Sequence, residues 1–355
     1  LKALCAKGGS ITGLAGSSAA VVLSAIDGKL PVIVVGDSLD DAGYLYFDLC
    51  RLVGDDAVAM LPSGFRRDIK YGQIDAPNQI LRTEALARIA SRSVRFVVTY
   101  PDALAECVAS RSVLEDHTIS LSLKKPMPMK DLIRWLRDNA FKEVDYVYEP
   151  GQFAVRGSVF DIFGYSAELP VRLDFFGDDI DSIRLFDVET QLSESRLDAI
   201  DVTANVSHTP DKQSLLDFID PASIIALRSE SITLERLRAI AEAGISAYTL
   251  LTEDGDADAA DLIIDPETFA QRLAAFTRLS FTAAKPAQGT VGKTNLAFDC
   301  SPQGIYHKNF DLIAESFTRL LADGYRLCIL SDNARQFDRL KEIFAERGDD
   351  ISFEP

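Results

Sequence analysis

The chain has 355 residues, 47% of them hydrophobic, and a formal net charge of -17. That length implies roughly two to four domains with full cores, and no apolar run reaches the ~18 residues of a transmembrane helix. The negative charge argues against broad electrostatic binding to nucleic acid, which needs a basic face, while leaving room for a local basic patch.

In chain order, residues 1–117 read as α/β. A glycine- and serine-rich segment at 10–20 leads into an apolar helix ending near Ile26. A buried strand is expected at 31–35, helices at Leu39–Val53 and 78–91, and a second buried strand at 94–99. Helices alternating with continuous apolar strands indicate a parallel sheet covered on both faces. Residues 118–203 change character. A strand at 118–123 and a Lys/Pro/Met stretch at 124–130 precede a helix at 131–139, which carries Leu132, Trp135 and Leu136 on one face. Then comes the densest run of strand signals in the chain: 152–155, 158–163, Val171–Phe176 and 180–186, with Gly177-Asp178 as a tight turn. The stretch 192–200 returns the chain. One helix on a small antiparallel sheet is an α+β insert.

Residues 204–293 return to mixed structure, with short elements at 215–219 and 224–228 and helices at 234–243 and 266–279. The acidic run at 253–261 reads as a solvated loop, because no turn framework orders its carboxylates for calcium. A polar, Pro/Gly-containing linker is expected around 283–293. The last part, 294–355, reads as the start of a further α/β domain, with helices at 309–322 and 333–347 and strands at 326–331 and from 351. The chain is expected to continue beyond it, and the natural start to lie before Leu1. Five scattered cysteines read as reduced thiols, and three separated histidines with no CxxC or HxxxH offer no metal site. With no signal peptide evident, a cytoplasmic protein without a membrane partner is expected.

Two stretches invite a nucleotide reading. Gly13 and Gly16 sit where a phosphate-binding loop would sit, but Ser18, Ala19 and Ala20 replace the glycine, lysine and threonine of that pattern. The residues that act on phosphates and magnesium are gone, so a degenerate loop with a structural role is expected. The run 289–294 contains Gly-Lys-Thr but lacks the earlier glycine and reads as an exposed linker.

The polar side of Val171–Phe176 is unusual. Val171, Leu173 and Phe175 share one face by the period of two, and Arg172, Asp174 and Phe176 share the other. With the first face on a core, the second offers an arginine and an aromatic ring, the composition of a protein-binding hot spot.

The insert resembles that of bacterial transcription-repair coupling factors and of the related excinuclease B subunit. The residues carrying the resemblance are Gly151 through Gly157 (GQFAVRG), Glu168 through Phe176 (ELPVRLDFF) and Asp179 through Val188 (DIDSIRLFDV). Glu168-Leu169-Pro170 and Phe186-Asp187-Val188 are more similar to the coupling factor. The resemblance implies a degenerate RecA/P-loop-like, helicase-like α/β domain (1–117 and 204–293), interrupted by an α+β insert (118–203) that binds the excinuclease A subunit. It maps contacts onto Arg156, Arg172 and Phe176. It implies no cofactor in this stretch, with ATP and magnesium at a motor further along the full-length protein. RNA polymerase and double-stranded DNA are likewise partners of later domains. The stretch from Leu61 to Gln79 is short, with only Phe65 and Tyr71 as aromatics, where the excinuclease B subunit carries a long tyrosine-rich hairpin. Two other readings stand beside this one: an excinuclease B-like ATPase acting on damaged DNA, and a dinucleotide-binding enzyme using the glycines from Gly8 to Gly16.

Overall fold

The computed structural model describes every residue except 67–72, 75, 168, 207–208, 210, 249–262, 285–294, 308, 330–332, 350 and 352–355. The acidic run at 253–261, the Gly-Lys-Thr stretch and Tyr71 therefore lie outside the described residues. The chain divides into two compact units, Leu1–Ser301 and Pro302–Pro355.

The strands of the first unit follow in chain order. Before the insert come β1 (Gly9–Thr12), β2 (Val32–Val35), β3 (Val58–Met60), a short pair β4 (Phe65–Arg66) and β5 (Gln73–Ile74), then β6 (Phe96–Thr99) and β7 (Val108–Ala109). The insert supplies β8 (Thr118–Ser122), β9 (Lys142–Glu143), β10 (Gln152–Arg156), β11 (Val159–Phe163), β12 (Val171–Phe176), β13 (Asp179–Phe186), β14 (Ser193–Leu197) and β15 (Ala199–Thr203). After it come β16 (Lys212–Gln213), β17 (Ile224–Leu227), β18 (Thr277–Phe281) and β19 (Asn295–Ala297).

The large sheet has the order β19-β1-β18-β17-β2-β6-β3, and every pair in it is parallel. The expected α/β class is what the molecule shows. Its central strands, VIVV in β2 and FVVT in β6, are buried throughout, as a sheet covered on both faces requires. By the period of two, Ile33, Val35 and Val97 enter one core with Leu86 and Ile89 of the helix Ala76–Ala90. Val32, Val34, Phe96 and Val98 enter the other with Leu45 and Leu49 of the helix Leu39–Val53. That helix starts where Ser38 accepts a hydrogen bond from the Asp41 amide, and it ends at Gly54 with φ +92°. β17 and β18, which follow the insert in sequence, lie between β1 and β2 in space. The α/β part is thus one sheet built from both sides of the insert.

Three expectations need correction. The helix expected over 266–279 stops at Leu273, and Thr277–Phe281 is the core strand β18. The alternation of buried Leu279 and Phe281 with partly exposed Arg278 and Ser280 fits a half-covered strand between β1 and β17. The stretch after 294, expected to open a following domain, instead places β19 beside β1, with Ile11 opposite Leu296. Compactness divides the chain seven or eight residues later, between Ser301 and Pro302. In the second unit the helices Phe310–Ala322 and Ala334–Arg347 form as expected, but residues 326–329 carry no strand. No partner strand pairs with them among the described residues, and a strand needs one.

The insert packs a six-stranded sheet, order β14-β13-β12-β11-β10-β9, against the helix Met129–Asp138. Leu132 and Leu136 of that helix meet Phe153, Phe160, Ile162, Val171, Leu173 and Phe175 in one core, with Trp135 packed at its edge. β8 and β15 form a separate antiparallel pair where the chain enters and leaves the insert. Among the described residues no helix is long and apolar enough to cross a membrane.

A candidate protein-docking face on the insert

β12 alternates as its sequence predicts: Val171, Leu173 and Phe175 are buried, while Arg172 and Asp174 are half-buried and Phe176 is exposed. Phe176 ends the strand before a turn in which Gly177 adopts φ +67°, a conformation that favours glycine. Its side chain does not fold back under the helix: it is 82% exposed. Arg156 lies at the same end of the sheet. It pairs with Val159, which pairs with Asp174, two residues from Phe176.

Neither arginine projects freely. Both reach the carboxylate of Asp161, whose side chain is fully buried. Arg172 donates from Nε to Oδ1 at 2.7 Å and from Nη2 to Oδ2 at 2.9 Å, a bidentate fork. It donates further to the Gln191 carbonyl at 3.1 Å and to Gln191 Oε1 at 3.3 Å, and it lies 4.3 Å from the centre of the Phe186 ring. Hydrogen bonding to Asp161 raises the Arg172 pKa above its ordinary value, so the guanidinium is charged at any physiological pH. Arg156 donates from Nη2 to Asp161 Oδ2 and from Nη1 to the Asp145 carbonyl at 2.8 Å, with the Tyr146 ring 5.1 Å away. The Arg156 side chain keeps 36% of its surface in solvent and that of Arg172 keeps 16%.

The three residues singled out in the sequence are therefore on one polar face, and Asp161 is the residue that sequence reasoning missed. It lies within the apolar run VFDIF, and the register Ala154–Asp161–Arg172 is what brings its partners to it. A lone acid on the inner strand of such a sheet, flanked by arginines on both neighbouring strands, is the signal that could have found it. The arrangement places two arginines on one buried carboxylate, on the face that also carries the exposed Phe176 ring. Among the described residues no group of His, Cys, Asp and Glu is placed to hold a metal ion.

The degenerate loop lies at the other functional candidate position, between β1 and the helix Ser18–Ser24. A phosphate cradle depends on free backbone N–H groups. Here the Gly13 amide donates to the Ala284 carbonyl at 3.1 Å and Leu14 to the Thr282 carbonyl at 3.2 Å. Ala15 donates to Ser18 Oγ at 2.8 Å. Gly13 has φ +72°, and a Cβ there would lie 1.9 Å from the Phe298 carbonyl oxygen, so glycine is required by packing against the chain itself. Gly16 is exposed, while Ala19 and Ala20 are buried in the core where the lysine and threonine would stand.

At the 61–79 stretch, β4 and β5 form a short antiparallel pair. Glu106 anchors its entry by accepting from Ser63 Oγ and from the Gly64 amide at 2.8 Å, and it pairs with buried Arg82 at 3.3 Å.

These features define a class: an α/β module whose glycine-bearing loop after β1 has its amides bonded within the chain, carrying a small α+β domain as an insert. Residues 119–208 match the family model described as the UvrB interaction domain. The chain is similar to the transcription-repair-coupling factor of Escherichia coli (strain K12), 29% identical over 189 residues, which cover 52% of this chain and 16% of that protein. It is 32% identical to that of Mycobacterium bovis over 197 residues, covering 51% and 15%, and 23% identical to that of Bacillus subtilis over 253 residues, covering 70% and 21%. The matched stretch spans less than a quarter of the length of these relatives. The resemblance read from the insert holds: this chain is similar to the excinuclease B-like, N-terminal module of transcription-repair coupling factors.

Proposed function

We propose that this chain is the docking module of a transcription-repair coupling factor, which recruits the excinuclease A subunit to stalled RNA polymerase for nucleotide excision repair. The observation that carries the reading is the exposed Phe176 ring beside two arginines held on one buried carboxylate, inside the segment that matches the UvrB interaction domain. Arg156, Arg172 and Phe176 are the contact residues, and Phe176 is the anchor that enters a socket on the partner. The module itself turns over no nucleotide, because the loop amides of Gly13, Leu14 and Ala15 are already bonded and no lysine is present. ATP, magnesium, RNA polymerase and double-stranded DNA engage later domains of the full-length protein.

The test is a calorimetric titration of purified excinuclease A subunit into this chain. Saturable binding that Arg156→Ala or Phe176→Ala removes, with the fold retained, supports the reading; absence of binding by the wild type overturns it. A second reading follows from the resemblance of the insert's residues to the excinuclease B subunit: an excinuclease B-like ATPase acting directly on damaged DNA. Titration with ATP and magnesium separates the two, since only the second requires binding.

A further inference from the structure

Arginines 172, 184 and 196 stand directly opposite one another across β12, β13 and β14, with Asp161 opposite Arg172 on β11. Like charges facing each other across strands are destabilising unless something answers them. Asp161 answers Arg172 and Asp174 answers Arg184, whereas Arg196 has no ion-pair partner among the described residues. A chain of net charge -17 thus leaves an unanswered positive charge on the face that carries Phe176.

The backbone beside this row is built to hold one side chain. Gln191 has φ +58°, uncommon for a residue other than glycine. Its amide donates to the Asp187 carbonyl at 2.9 Å, and the Asp187 amide donates to the Leu192 carbonyl at 3.0 Å. Asp187 Oδ1 accepts from the amides of Glu189 and Thr190 at 3.1 and 2.7 Å. The Gln191 side chain donates to the Val188 carbonyl at 2.8 Å, which turns its Oε1 toward Arg172. Strained residues persist where their surroundings over-determine them, and here the turn's own hydrogen bonds fix Gln191, whose carbonyl and Oε1 both accept from Arg172.

We propose that Asp161 and Gln191 are positioning residues of the docking face, and that they present Arg156 and Arg172 pre-ordered to an acidic patch on the partner, with Arg196 as an added contact at the sheet edge. This rests on the docking function proposed above. Arginine is rich in rotamers, and a side chain fixed before association loses less freedom on binding. Asp161 does this for both arginines at once, so the two are expected to act as a unit rather than independently.

The experiment compares four variants with the wild type: Asp161→Asn, Arg172→Lys, Gln191→Gly and Arg196→Gln. Each is titrated with excinuclease A subunit at several salt concentrations, and the arginine Nε–H signals are followed by NMR. Asp161→Asn is expected to weaken binding by about tenfold or more. Its Arg172 Nε–H signal should move to the position of mobile arginines, while the Leu132 and Leu173 methyl signals stay in place. Arg172→Lys should lose about as much, since a point charge cannot satisfy the fork. Gln191→Gly keeps the positive φ and the backbone carbonyl, so it should weaken binding only a few-fold without changing stability. Arg196→Gln should leave the Arg172 signal in place and flatten the salt dependence. If Asp161→Asn does not fold, Arg172→Lys and Gln191→Gly decide the matter. Wild-type affinity in Asp161→Asn and Gln191→Gly, with the wild type itself binding, overturns the positioning roles and leaves the docking function standing. Loss of all binding in the wild type removes the docking function itself.

Discussion

Phe176 holds an aromatic ring in water at 82% exposure, at the end of a strand whose alternate residues are buried. Its removal should therefore cost the fold nothing. We expect Phe176→Ala to keep the wild-type unfolding midpoint and to lose about 2–4 kcal/mol of association with the excinuclease A subunit. Asp161 is the opposite case. Replacing either arginine alone leaves its carboxylate paired, but removing both strands a buried charge, which costs about 3–5 kcal/mol. The Arg156→Ala/Arg172→Ala double variant should thus unfold at markedly lower denaturant than either single variant, and the excess over their sum measures the coupling. Tyr46 sets a pH limit elsewhere. Burial, and then its neighbour Cys50, push its pKa up to about 12. The folded state holds the phenol proton more tightly than the unfolded chain does. This contribution is present below the ordinary value of 10.0 and is lost as pH rises toward about 12. Tyr46→Phe should remove that part of the alkaline fall in stability, read by thermal melts across this range.

At the scale of elements, the alternating run Val171–Phe176 was legible because period-two patterning needs no knowledge of neighbours. Asp161 was not, because its partners are 5 and 11 residues away and meet it only through the register of three strands. β18 was misread for a related reason. Pro266 and the Asp265 cap mark where the preceding helix starts, but no glycine or proline marks where it stops, so the strand was absorbed into it. The alanines at 19 and 20 are plain in the sequence, yet what occupies the amides of Gly13 and Leu14 depends on the carbonyls of Ala284 and Thr282, far along the chain. Two expectations follow. Gly13→Ala should destabilise the α/β part by about 2 kcal/mol or more, since it meets both a positive φ and the Phe298 carbonyl. Ala19→Lys with Ala20→Thr should lower the melting midpoint and still give no heat on titration with ATP, because both side chains would enter a full core.

For the molecule as a whole, the class of the sheet was readable from its apolar runs, but its closure was not. β19 is three residues long, too short to declare its place beside β1. Leu296 and Phe298 pack against the core under that edge. A chain ending at Ser301 should keep the melting midpoint of the first unit, and one ending at Lys293 should melt several degrees lower as the β1 edge and this packing are lost. The insert holds the polar face within residues 119–208, away in sequence from the loop that follows β1. The most direct measurement is a calorimetric titration of the excinuclease A subunit against the wild type and Phe176→Ala. Saturable binding by the wild type and a loss of at least about thirtyfold in the variant are expected. Equal affinities, or a wild type that does not bind, would contradict the docking function.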